Sequence, residues 1–106
     1  MTKSLKDLGV KELMGEIGDW RKKMDKLDLK LVKLLNERCS CALEIGKIKK
    51  KLNIDIYDPN REEQVIGNVE GVAQGPLTKK AMRRLFERII DESRRAERTS
   101  RTSGKN

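Results

Sequence analysis

Apolar residues recur at Ile17, Trp20, Met24, Leu27, Leu31, Leu34, Ala42, Ile45, Ile48 and Leu52, three and four positions apart almost throughout. This is the repeat of one helix face, because about 3.6 residues complete a turn. It predicts a first helix over residues 17–52, roughly 54 Å long at 1.5 Å per residue. Shorter stripes follow at Val65, Ile66, Val69 and Val72, and at Met82, Leu85, Phe86, Ile89 and Ile90. They predict a second helix over Pro59–Ala73 and a third over Thr78–Arg98. The joints carry start signals: Asp58 before Pro59 is a cap followed by a first-turn proline, and Gly75-Pro76-Leu77 is a turn leading to a cap at Thr78. No alternating run rich in Val, Ile and Thr suggests a strand. The fold class is all-α, three helices per chain.

Two short helices cannot cover a rod of that length along its whole apolar stripe. A second copy can, so the pattern predicts a helical homodimer. Composition sharpens this. Of 106 residues, 40 % are charged, 36 % are hydrophobic and one each is Trp, Tyr and Phe, too little apolar material for a large core in one chain. The glycine-bearing residues 1–16 read as an N-terminal extension, residues 17–98 as the helical domain, and residues 99–106 as a disordered basic tail. No apolar run is long enough for a membrane span, and the start lacks the apolar stretch of a signal peptide. The expected compartment is the cytoplasm, with no membrane partner.

Cys39 and Cys41 stand in a chain without histidine, so zinc would lack ligands and no metal is expected. Two positions apart on a helix, they face away from each other and are read as reduced. The net charge is +8, half of it in Arg94–Asn106. A basic chain attracts anions. Stacking aromatics and reader motifs are missing, so nucleic acid is not the expected partner. A small anion serves equally well.

Polar residues on the apolar stripes carry the chemistry. Arg38 and Lys49 fall on the first stripe about three turns apart, sharing a face. The second stripe projects back onto Glu62, and the third projects forward onto Ser93 and Glu97. Long side chains at a rim can snorkel to water, and the two glutamates could pair with the two cations. Five such residues over three helices also describe a pocket for a small polyanion. Arg21 lies 17 residues before Arg38, roughly 25 Å along one rod, so it could join that pocket only from an antiparallel partner.

Taken together, WRKKMDKLDLKLVKLLNERCSCALEIGKIKKK, IYDPNREEQVI and GPLTKKAMRRLFERIIDESRRAE resemble the chorismate mutases of the all-helical AroQ class. The resemblance spans about Gly18–Arg98. It implies three helices per chain, an intertwined helical homodimer and two active sites, each borrowing one arginine from the other chain. Arg21 matches the borrowed arginine, and Arg38, Lys49, Asp58, Arg61, Glu62 and Ser93 match site positions within a chain. Glu97 matches a position held by glutamine in many members and by glutamate in some.

The implied reaction is the rearrangement of chorismate to prephenate on the route to phenylalanine and tyrosine, with no cofactor. It requires a dianion held in its reactive conformer and donors aimed at the ether oxygen. The resemblance implies that Arg21, Arg38 and Ser93 hold the carboxylates, while Lys49 and the side chain at 97 face the ether oxygen. Glu62 and the backbone at Asp58 take the ring hydroxyl, and Arg61 braces Asp58. Lys49, Glu97 and Arg38 are the expected catalytic residues. Isochorismate–pyruvate lyase, which shares the fold, and a non-catalytic regulatory module of the same pathway are the competing readings.

Overall fold

The computed structural model describes the backbone of residues 5–102 and the side chains of residues 9–102. Three α-helices run in order: α1 over Leu5–Lys51, α2 over Pro59–Val72 and α3 over Lys79–Thr102. The all-α expectation holds, and local chemistry sets the end of α1 and the starts of α2 and α3. At the end of α1, Asn53 takes the left-handed conformation at φ 57°. The Ile54 N–H then reaches back to the Lys49 carbonyl at 2.8 Å and the Asn53 N–H to Lys50 at 3.1 Å. This double closure satisfies carbonyls that the last turn would leave open. The Asp58 carboxylate caps α2 by accepting from the Arg61 N–H at 3.1 Å, with Pro59 in the first turn. Thr78 caps α3, its Oγ1 accepting from the Ala81 N–H at 3.0 Å.

Two boundaries differ from the sequence expectation by more than one residue. Helix α1 starts at Leu5 rather than at residue 17, so most of the supposed extension is helical. Val10, Leu13 and Met14 continue the three-and-four spacing backward to Ile17. Gly9, Gly15 and Gly18 weaken that turn sequence by about 1 kcal/mol each relative to alanine, without breaking it. Helix α3 continues past Arg98 to Thr102, which corrects the disorder expected from residue 99 onward. Arg101 anchors this last turn, donating to the Gly46 carbonyl at 3.2 Å and to the Ile54 carbonyl at 3.5 Å. Residues 1–4 and 103–106 lie outside the described residues.

The chain divides into two compact units, Met1–Leu34 and Leu35–Asn106, with the division inside α1. In the first unit the helical stripe is bare: Ile17, Trp20, Met24, Leu27, Leu31 and Leu34 are all exposed, Trp20 by 64 %. In the second unit α2 and α3 pack on each other. Their ion pairs, Glu70 with Arg83 at 3.3 Å and Glu62 with Arg94 at 2.8 Å, advance in opposite directions along the two helices, so these run antiparallel. The buried apolar side chains among the described residues are Ile66, 2 % exposed, and Ile56, 8 % exposed. Two such side chains are far short of a core that outweighs the entropy of ordering a chain this long.

Candidate active site

All the polar stripe residues of the second unit converge. Arg38 and Lys49 from α1, Asp58, Arg61 and Glu62 at the start of α2, and Ser93 and Glu97 from α3 line one open cavity of about 230 Å³. Ala42, Ile45, Ile56, Val65 and Ile90 supply apolar walls. Arg21, the remaining expected site residue, is exposed in the first unit and is not among the lining residues.

Arg38 crosses from α1 to α3, donating from Nη1 to Ser93 Oγ at 3.3 Å. Ser93 is buried and donates its own hydroxyl hydrogen bond to the Ile89 carbonyl at 3.0 Å. Its hydroxyl thereby accepts from Arg38 and braces the guanidinium. Lys49 donates from Nζ to the Ile56 carbonyl at 3.0 Å, which ties the end of α1 to the segment entering α2. An ammonium has three donors, so two remain for a ligand. Among the described residues, neither Arg38 nor Lys49 has a carboxylate within ion-pair distance.

The glutamates could have neutralised those cations, and they do not. Glu62 is taken by Arg94, 2.8 Å from its Oε2. Glu97 is half-buried, and its Oε2 is buried without a hydrogen-bond partner. That oxygen lies against α1 where the chain has no side chain: a Cβ on Gly46 would stand 3.2 Å from Oε2 and 3.3 Å from Cγ of Glu97. Burial pushes the Glu97 carboxyl above its usual range, and this outweighs the opposing pull of Lys49, Arg101, Arg94 and Arg98.

At the entrance to α2, Arg61 does hold Asp58, and it does so through its backbone N–H, while its guanidinium donates to Gln64 Oε1 at 2.7 Å. A one-turn spacing favours Gln64, whose amide lies on the same helix face. The brace on Asp58 is therefore the helix cap itself.

Arg94 also lines the cavity, although the sequence singled it out only as part of the basic excess of Arg94–Asn106. Its position held the signal: it stands four residues after Ile90 and three before Glu97, on the inward stripe of α3. Cys41 lines the cavity as well and is a free thiol.

Known proteins match this chain in both sequence and fold. The family model described as chorismate mutase type II matches residues 20–98. A bifunctional chorismate mutase/prephenate dehydratase of Aquifex aeolicus is 33 % identical over 81 residues, covering 73 % of this chain and 22 % of that protein. A chorismate mutase of Methanocaldococcus jannaschii is 37 % identical over 57 residues, covering 54 % of this chain and 58 % of that protein. The chain thus spans between about a fifth and three fifths of the length of these relatives. The solved form II structure of chorismate mutase from Thermus thermophilus superimposes with a TM-score of 0.77 at 31 % identity, over 78 % of this chain and 94 % of that one.

Proposed function

This chain belongs to the type II chorismate mutase family, and from that premise we propose that it rearranges chorismate to prephenate. The observation that carries the reading is the pair of cations, Arg38 and Lys49, facing one cavity without a carboxylate partner among the described residues. Cations taken partly out of water need a counter-charge, and a small dianion supplies it. The reaction is a concerted shift within one molecule: the ether C–O bond breaks as a new C–C bond forms, and no proton leaves. Catalysis then consists of holding the compact conformer and stabilising the charge that grows on the ether oxygen. Arg38, braced by Ser93, grips a carboxylate. Lys49 directs a free N–H at the ether oxygen, and Glu97 donates to it from the other side. Glu62 and the backbone at Asp58 receive the ring hydroxyl, and the first turn of α2 at Arg61 closes that end.

The reading includes a homodimer in which the partner's Arg21 completes the site. It is supported by the exposed stripe of α1 and by the scarcity of buried apolar side chains. The cytoplasm remains the proposed compartment; no described helix is long and apolar enough to cross a membrane, and Cys39 and Cys41 are free.

Glu97 gives the reading a pH signature. A carboxyl donates a hydrogen bond only when protonated, and burial keeps this one protonated to higher pH than usual. Activity is expected to rise as pH falls from about 8 toward the raised pKa, by up to about tenfold per unit on the steep limb. Glu97→Gln donates at any pH and is expected to flatten the profile. Rate measurements across that range check this, and identical slopes for the two proteins contradict it.

The identity of the reaction is tested by offering chorismate and isochorismate separately and analysing products. Prephenate from chorismate supports the assignment. Pyruvate released from isochorismate, without prephenate from chorismate, replaces it with a lyase.

A further inference from the structure

Arg94 is held from three sides. Its Nη1 donates to Glu62 Oε2 at 2.8 Å, its Nη2 donates to Asp91 Oδ1 at 3.2 Å, and its guanidinium carbon lies 4.9 Å from the centre of the Tyr57 ring. Only a fifth of the side chain is exposed. Two of its contacts are made by residues from other parts of the fold, Tyr57 ahead of α2 and Glu62 within it. A planar guanidinium can satisfy all three at once, since the ring takes its face and the carboxylates its edge.

The consequence falls on Glu62. One of its oxygens is committed to Arg94, while the other, Oε1, accepts no hydrogen bond from any described residue. Glu62 lines the cavity, so Arg94 leaves it a carboxylate fixed at one oxygen and open at the other. Such a group suits a neutral donor such as a hydroxyl. It repels a carboxylate, which sorts the two ends of a substrate that carries both.

We propose that Arg94 is a positioning residue that fixes Glu62 as the acceptor for the substrate's ring hydroxyl and so sets which end of the dianion enters that side of the cavity. This rests on the reading that chorismate is the substrate. The hydroxyl does not react, so its contacts are made in the ground state and transition state alike. Losing them raises KM more than it lowers kcat.

The test is a cycle of Arg94→Met, Glu62→Gln and the double variant, with kcat and KM measured separately on chorismate. Each single change is expected to lower kcat/KM by about tenfold, chiefly through KM, because each breaks a hydrogen bond to a charged group. The double variant is expected to fall within about twofold of the worse single, since both changes remove one function. Arg94→Lys keeps the charge without the planar fork and is expected to recover part of the loss.

A purely structural arginine would lower the melting temperature and cost the same factor whether residue 62 is Glu or Gln. Multiplying losses, or an unchanged kcat/KM in Arg94→Met, overturn the proposal. If Arg94→Met does not fold, the same cycle with Arg94→Lys decides it by the same criterion. A wild-type protein that forms no prephenate overturns the parent reading and this role with it, whereas turnover with multiplying losses overturns this role alone.

Discussion

Replacing Arg38 by alanine is expected to lower kcat/KM for chorismate by about a hundredfold to a thousandfold, the scale seen when one partner of a desolvated charge pair is removed. The fold should survive. Among the described residues, the Arg38 guanidinium donates to Ser93 and has no carboxylate partner that its removal would strand. Ser93 keeps its bond to the Ile89 carbonyl after the change. The expected result is therefore a large kinetic effect beside a melting temperature close to that of the wild type. Steady-state prephenate assays and thermal melts followed by circular dichroism measure both. A melting temperature that falls in step with activity would make Arg38 a structural residue.

The second large effect concerns assembly. Placing glutamates on the bare stripe of α1, as Leu27→Glu with Leu31→Glu, is expected to abolish the proposed dimer and most of the helical signal with it. Each leucine buried at an interface contributes about 1.5–3 kcal/mol, and a buried unpaired carboxylate adds a further cost. That approaches the whole stability of a small domain. The chain has no reserve in its own interior, where Ile56 and Ile66 are the buried apolar side chains among the described residues. Sedimentation equilibrium and circular dichroism at matched concentrations check this. A wild-type protein that sediments as a folded monomer would contradict the dimer outright.

All three stripes were legible as helical repeats, and those of α2 and α3 also open on an unambiguous joint. Asp58-Pro59 and Thr78 mark starts by chemistry that acts within one turn. The ends of α1 and α3 were less legible. Glycines at 9, 15 and 18 lower helix propensity without deciding against it, and Arg101 ties down α3 through carbonyls 47 and 55 residues away in the chain. No local pattern reports such a contact.

The candidate site was legible where a polar residue interrupts a stripe, as at Arg38, Lys49, Glu62, Ser93 and Glu97. The choice of ion-pair partners was not. Glu62 had 25 basic residues to choose from, and its selection of Arg94 leaves Arg38 and Lys49 open, which bears directly on the chemistry. Arg94 was hidden by its neighbours: beside Arg95 and Arg98, a residue on the inward stripe looks like one more charge in a basic run. The space under Glu97 was equally invisible, because a glycine inside a helix reads as a weakness until a neighbouring side chain is seen to need its missing Cβ.

The most direct test of a site shared between two copies is a heterodimer of Arg21→Ala with Arg38→Ala. It is purified through two different tags on co-expressed chains and assayed for prephenate formation. Each variant alone leaves both sites of its homodimer defective. In the heterodimer one site collects both lesions and the other collects neither, so activity is expected to return to about half that of the wild type. A heterodimer no more active than either parent would contradict the account.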